Sequence, residues 1–271
     1  MRLITLTTDF GYQDWFVGVM KGVILGRAPE ARVVDITHGL PRGNVAAAAL
    51  TLKSIRPHFP PDAVHVVVVD PGVGSSRAPL AIRCDKGYLV GPDNGVFELV
   101  LREAKRWTAR KIERAAARLP ELSATFHGRD VFAPTAAWLA RGGAFHRLGP
   151  RVSELHPLPW PEAKQEGRDW VGEVIHLDVF GNALTNLPNA CVGGDPPGSW
   201  EILLPGRKHA LLREYYAAVP PGEPLVVRGS AGWLEIAINA GSAAERLGLT
   251  AGAPVRLKRV SPPGQTRPRR G

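Results

Sequence analysis

Cysteine is nearly missing from this 271-residue chain. Two residues, Cys84 and Cys191, stand far apart and outside any metal-like or redox-like spacing. That excludes a disulfide framework and a cysteine-rich metal module, and leaves two reduced thiols, as expected of a cytoplasmic protein. No apolar run approaches the roughly 18–20 residues that a membrane span needs. The opening Met-Arg-Leu-Ile-Thr-Leu-Thr-Thr-Asp has neither the apolar h-region nor the cleavage site of a signal peptide. It reads as a strand that enters the fold directly. Internal repeats are absent, and so is a Gly-x-Gly-x-x-Gly turn after that strand, which argues against a pyrophosphate cradle. The net charge is +9, but basic residues are scattered and the one dense run is Arg267-Pro-Arg-Arg at the terminus. Without clustering or interleaved aromatics this is no specific nucleic-acid surface.

The first half alternates strand and helix. Strands are expected at 2–8, 33–36 and 64–69, a hairpin-like pair at 79–84 and 87–90, and helices at 15–27, 45–55, 96–104 and from 130 to about 142. This order predicts an α/β domain over 1–155, Rossmann-like, with a mainly parallel sheet covered on both faces. Residues 156–169, rich in proline, read as a connector. Short alternating segments at 171–179, 199–204, 225–228, 233–238 and 254–258 predict a small β-barrel domain over 170–260, with one helix at 243–247. Residues 261–271 read as a basic, disordered tail.

Three segments carry candidate chemistry. Val66 to Val69 form a buried strand that stops at Asp70-Pro-Gly-Val-Gly, with Arg77 close behind. In open α/β sheets, ligands bind at that carboxyl end. His127 lies in Phe-His-Gly-Arg-Asp. Asp70 could close a turn, Arg77 could be a surface cation, and His127 could be a core histidine. In a reactive reading, aspartate and histidine hold or deprotonate a water while the guanidinium stabilises the hydroxide. Gly72, Gly74 and Gly128 favour close approach to something small. Thr8-Asp9-Phe10-Gly11 and Asp14 follow the first strand; such acids suit ribose hydroxyls or an ammonium, although Asp14 could instead cap the following helix. Asp178-Val-Phe180-Gly-Asn182 pairs a ring with an amide, a composition suited to a purine, although an Asn-rich β-turn would read the same way. Ser230 and Asn239 add polar groups at turns. His38, Asp93 and Asn94 sit at turns that could line the crevice or merely shape it.

Together these motifs resemble the S-adenosyl-L-methionine hydroxide adenosyltransferases, in the superfamily that also holds the fluorinase and chlorinase. The likeness runs from Thr7-Thr8-Asp9-Phe10-Gly11 to Gly241-Ser242-Ala243-Ala244. It implies cleavage of S-adenosylmethionine by water to adenosine and methionine, with no cofactor or metal, in a homotrimer with sites between subunits. By this resemblance Asp70, Arg77 and His127 match the water-activating triad, Asp9 the ribose-diol ligand, and Asp14 and Asp178 the methionine-side acids. Phe180, Asn182, Asn239 and Ala240 match adenine-side positions, and Ser230 one at the methionine end. Halogenating relatives carry arginine where Ala231 stands and lack the triad, which favours water over halide. A halogenase of the same fold and a non-catalytic nucleoside or S-adenosylmethionine binder are the alternatives.

Overall fold

The structure is a computed structural model that describes residues 3–260. The expected tail at 261–271 lies outside the described residues. The chain divides into two compact units, residues 1–159 and 160–271.

In the first unit, β1 (Leu3–Thr8), α1 (Phe16–Arg27), β2 (Arg32–Thr37), α2 (Val45–Ile55) and β3 (Val64–Val68) alternate as expected. β4 (Pro79–Cys84), β5 (Tyr88–Pro92), α3 (Glu98–Leu101), β6 (Trp107–Lys111), α4 (Ala133–Ala140) and β7 (Arg151–Val152) follow. The sheet order is β2-β1-β3-β5-β4-β6-β7. Neighbours from β2 to β5 pair in parallel, and the remaining pairs are antiparallel. Every residue of β3 is buried. Val64, Val66 and Val68 pack toward α1 and α4, while Val67 and Val69 pack toward α2 and the residues around α3. A strand with period-two side chains and a core on each face is mainly apolar, and in β3 the buried His65, 2.9 Å from Thr5 Oγ1, is the exception among the valines. Each fully buried valine contributes about 1.5–3 kcal/mol.

This topology positions the site. The β1–α1–β2 connection moves to one side of β1, and β2–α2–β3 returns to the other, so the chain changes direction beside β1. Ligands collect at such a switch point. The register Thr7↔Thr37 and Thr8↔Val68 makes three neighbouring strands end together. Asp9, His38 and Asp70 therefore leave the sheet from one edge. The Asn44 side chain accepts from Ala47 N at 2.9 Å and starts α2 there, a cap worth about 1 kcal/mol.

Two expectations differ. The helix expected over 96–104 shrinks to Glu98–Leu101. β6 carries Arg110 and Lys111, with only Ala109 buried, so it lacks the apolar alternation that marks a strand.

The second unit contains β8 (Lys164–Glu166), β9 (Asp169–Leu177), β10 (Ala183–Pro188), β11 (Trp200–Leu203), β12 (His209–Leu212), β13 (Pro224–Arg228), β14 (Trp233–Ile238), α5 (Ala243–Leu247) and β15 (Pro254–Arg259). The order β10-β14-β13-β12-β11-β15-β9, closed by β9–β10 pairing, makes a seven-strand barrel with β8 appended to β9. Val174, Ala183, Ile202, Leu212, Leu234 and Ile236 are among the residues that fill it. β8 lies inside the stretch read as a connector. No helix among the described residues is long and apolar enough to cross a membrane.

Candidate active site

Arg77 gathers the first group of residues. Its Nε donates to Asp70 Oδ1 at 2.9 Å, and Nη2 donates to Asp70 Oδ2. The same Nη2 lies 2.7 Å from His127 Nδ1. The Asp70 and Arg77 side chains are only 4% and 9% exposed, and the guanidinium carbon stands 5.4 Å from the centre of the Phe132 ring. Asp70 does close its turn, with Val73 N–H donating to its carbonyl, while its carboxylate, the Arg77 guanidinium and the His127 ring meet in one cluster. Arginine can only donate, so His127 Nδ1 accepts, and the proton of the neutral ring sits on Nε2. Burial, and then the Arg77 charge, push the His127 pKa down against the pull of Asp70 and Asp130. Arg77 Nη1 is buried and has no hydrogen-bond partner among the described residues.

Local structure explains how the three meet. The Asp70 turn folds back through Val73 N–H to Asp70 O and Ser75 N–H to Gly72 O. Gly74 adopts φ +79, and a Cβ there would run into the Ala124 carbonyl. The close approach expected at Gly74 is thus to the chain's own loop before His127. At Gly128 a Cβ would press against Met20 and Phe126. A π-helical turn, Gly128–Phe132, begins right after His127 and runs into α4. Asp130 within it is fully buried, accepting from Ser123 N at 2.7 Å and from Arg129 Nε at 2.5 Å. Sequence reasoning gave Asp130 and Phe132 no part here. The Arg-Asp pair after His127 was the available signal.

A cleft of about 580 Å³ opens at this edge, lined by Asp9, Phe10, Asp14, Phe16, Arg42, Gly43, Asp70 and Pro71. Asp9 Oδ2 accepts from Gly43 N at 2.8 Å. Asp14 is exposed, and the N-cap of α1 is Trp15, with no capping side chain. The capping alternative for Asp14 is therefore not realised. Asp93 accepts from His156 N at 2.9 Å, and Asn94 Nδ2 donates to Val69 O at 2.9 Å. Both shape loops at this edge.

In the second unit, Asp178 Oδ1 accepts from the backbone of Phe180 and Asn182 at 2.9 and 2.8 Å, and Oδ2 from Asn182 Nδ2 at 3.0 Å. This tight turn leaves the Phe180 ring 75% exposed. Gly181, at φ +80, lies against Ser242, and its carbonyl accepts from Ala244 N at 2.8 Å. The turn is thereby joined to the 239–244 loop. There Asn239 Nδ2 donates to Val219 O at 2.6 Å, and Ala240 has φ +54. Ala240 is the one described non-glycine residue with positive φ, a conformation that costs an L-residue about 1–2 kcal/mol. Ser230 is exposed in the turn that precedes β14, at the other end of that strand from Asn239. Glu235 accepts from Tyr216 O–H at 2.7 Å. Burial, followed by Glu235, pushes the Tyr216 pKa up to about 12.

The SAM hydroxide adenosyltransferase N-terminal domain matches residues 4–149, and the corresponding C-terminal domain matches residues 172–256. The chain belongs to this family. It is 43% identical over 264 residues to the (R)-S-adenosyl-L-methionine hydrolase of Thermus thermophilus, covering 95% of this chain and all of that protein. A fluorinase from Actinopolyspora mzabensis is more distant, 26% identical across 95% of this chain and 97% of its own. A crystal structure of an uncharacterized conserved protein from Thermotoga maritima superposes with a TM-score of 0.89 at 36% identity, covering 94% of this chain and all of that one. Both domain matches of the hydroxide adenosyltransferase family fall within the two units described above, the α/β sheet and the barrel.

Proposed function

We propose that this chain hydrolyses S-adenosyl-L-methionine. The observation that carries the reading is the buried Arg77 fork binding Asp70 and His127 at the carboxyl edge of the sheet, beside a cleft. Water attacks the ribose C5′, the C5′–S bond breaks, and its electron pair leaves on the neutral thioether of methionine. One proton is released, and the products are adenosine and L-methionine. A neutral leaving group needs no general acid, so assistance is required only on the water. The chemistry likewise calls for no metal or redox cofactor.

The hydrogen-bond directions divide the labour. His127 Nε2–H and Arg77 Nη1–H are donors that suit an oxygen gaining negative charge. Asp70 is the member with lone pairs left to receive the proton. Holding the oxygen in line behind C5′ lowers the barrier by orientation, up to about 7–11 kcal/mol in the best cases.

Asp9 takes the ribose diol, Asp14 and Asp178 the methionine ammonium side, and Ser230 the methionine end. Phe180, Asn182, Asn239 and Ala240 hold the adenine. The active assembly is a cytoplasmic homotrimer with sites between subunits, a reading supported by the family resemblance.

The test is chromatography after incubating the purified chain with S-adenosylmethionine. Equimolar adenosine and L-methionine are expected. Chloride-dependent 5′-chloro-5′-deoxyadenosine would mean halogenation instead. Tight calorimetric binding with no product over hours would mean a binding protein.

A further inference from the structure

Beneath the Asp9 turn lies a chain of polar groups that the reaction above does not use. His38, the first residue after β2, is 1% exposed. Its Nδ1 lies 2.7 Å from Thr8 Oγ1. Its Nε2 lies 3.2 Å from Asp35 Oδ1, off the line of a straight hydrogen bond. Asp35 Oδ2 accepts from Lys21 Nζ at 2.5 Å and from the Tyr12 hydroxyl at 3.2 Å. The Tyr12 ring stands edge-on to the imidazole, with centroids 4.9 Å apart.

The Asp35 carboxylate, which can only accept, selects the tautomer with the proton on Nε2. With that tautomer His38 Nδ1 accepts from the Thr8 hydroxyl, whose oxygen also accepts from Phe10 N–H at 3.2 Å. The imidazole proton faces the Asp35 carboxylate from Nε2. Burial pushes the His38 pKa down, and Asp35 only partly opposes it, so the ring is neutral at pH 7. The order hydroxyl, imidazole, carboxylate is that of a nucleophilic triad, but Thr8 is fully buried and cannot meet a substrate. The network serves the turn instead. Thr8 is fastened to the His38 ring, and Gly11 N–H donates to the His38 carbonyl at 2.7 Å. Asp9 lies between these two ties.

We propose that His38, acting through Thr8, is a positioning residue that holds the Asp9 carboxylate where it can accept both hydroxyls of a ribose diol. This rests on the substrate reading above and adds a residue to which that reading gives no role.

The experiment is calorimetry on the full chain with adenosine and with 2′,3′-dideoxyadenosine, which lacks the diol. Thermal unfolding of each variant is followed in parallel. His38→Leu and the nearly isosteric Thr8→Val should each bind adenosine about tenfold more weakly, with dideoxyadenosine affinity unchanged. His38→Asn, whose amide can still meet Thr8, should recover most of the loss. Turnover of S-adenosylmethionine should show a raised KM with kcat changed much less. Equal weakening of both ligands, or no weakening of either, would overturn the proposal. A wild type that binds both nucleosides equally would overturn it together with the Asp9 assignment. The expected ligand pattern in a wild type that forms no adenosine would sink the hydrolysis reading and leave the positioning role standing.

Discussion

A guanidinium at position 77 does what no other side chain can. Its planar fork meets both oxygens of Asp70 and still presents Nη2 to His127. Lysine, a point charge on a flexible stem, offers no such fork. Arg77→Lys should therefore lose activity almost as completely as Arg77→Ala, with kcat down about 10²–10³-fold and KM changed much less. Steady-state kinetics on both variants checks this; equal losses in binding and turnover would make Arg77 a substrate-holding residue. His127 adds a pH dependence. Its pKa is lowered from the usual 6.5 by burial and Arg77, so the ring stays neutral through pH 7 and charges only further into acid. If the neutral ring is the active form, the acid limb of kcat/KM should fall below pH 6.5. A midpoint above 6.5 would contradict that assignment.

At the scale of elements, β3 makes a testable acid-stability argument. His65 is 1% exposed within it, bonded to Thr5 Oγ1 at 2.9 Å and edge-on to Phe59. Burial, with Arg56 adding, lowers its pKa from 6.5 to about 4. Between those values the unfolded chain takes up a proton that the folded chain refuses. Stability therefore falls as pH drops through that window, by about 3 kcal/mol for this group alone. His65→Val should flatten the fall in denaturant-measured stability between pH 6.5 and 4; an unchanged slope would refute it. The Asp70 turn supplies a second test. Gly74→Ala meets both a positive φ and the Ala124 carbonyl, and should cost about 1–3 kcal/mol with a parallel loss of activity. A variant as stable and active as the parent would show that the turn can move without harm.

The elements also show what could be read in advance. Val66–Val69 ending at Asp-Pro-Gly is legible because a strand with cores on both faces favours an unbroken run of apolar residues. β10 is not, because it buries Thr185 and Asn186, whose polar atoms bond Leu234 O, Glu173 N and Pro161 O. Those partners are distant in sequence, so the segment looks like a turn. The convergence of Asp70, Arg77 and His127 was likewise invisible to spacing alone, since a fifty-residue separation is closed only by tertiary packing. Motif resemblance supplied the grouping; the Asp35–His38–Thr8 network beneath the same loops was supplied by neither.

For the whole molecule, the proposed homotrimer with sites between subunits would make assembly a condition of turnover. Sedimentation of the purified chain should give a species of three times the chain mass, and a monomer that turns over at full rate would contradict the proposed trimer. The central claim is attack by water at C5′, and oxygen-18 water tests it most directly. Mass spectrometry of the products should place one heavy oxygen in the adenosine 5′-hydroxyl and none in methionine. Unlabelled adenosine, or label confined to methionine, would contradict the account.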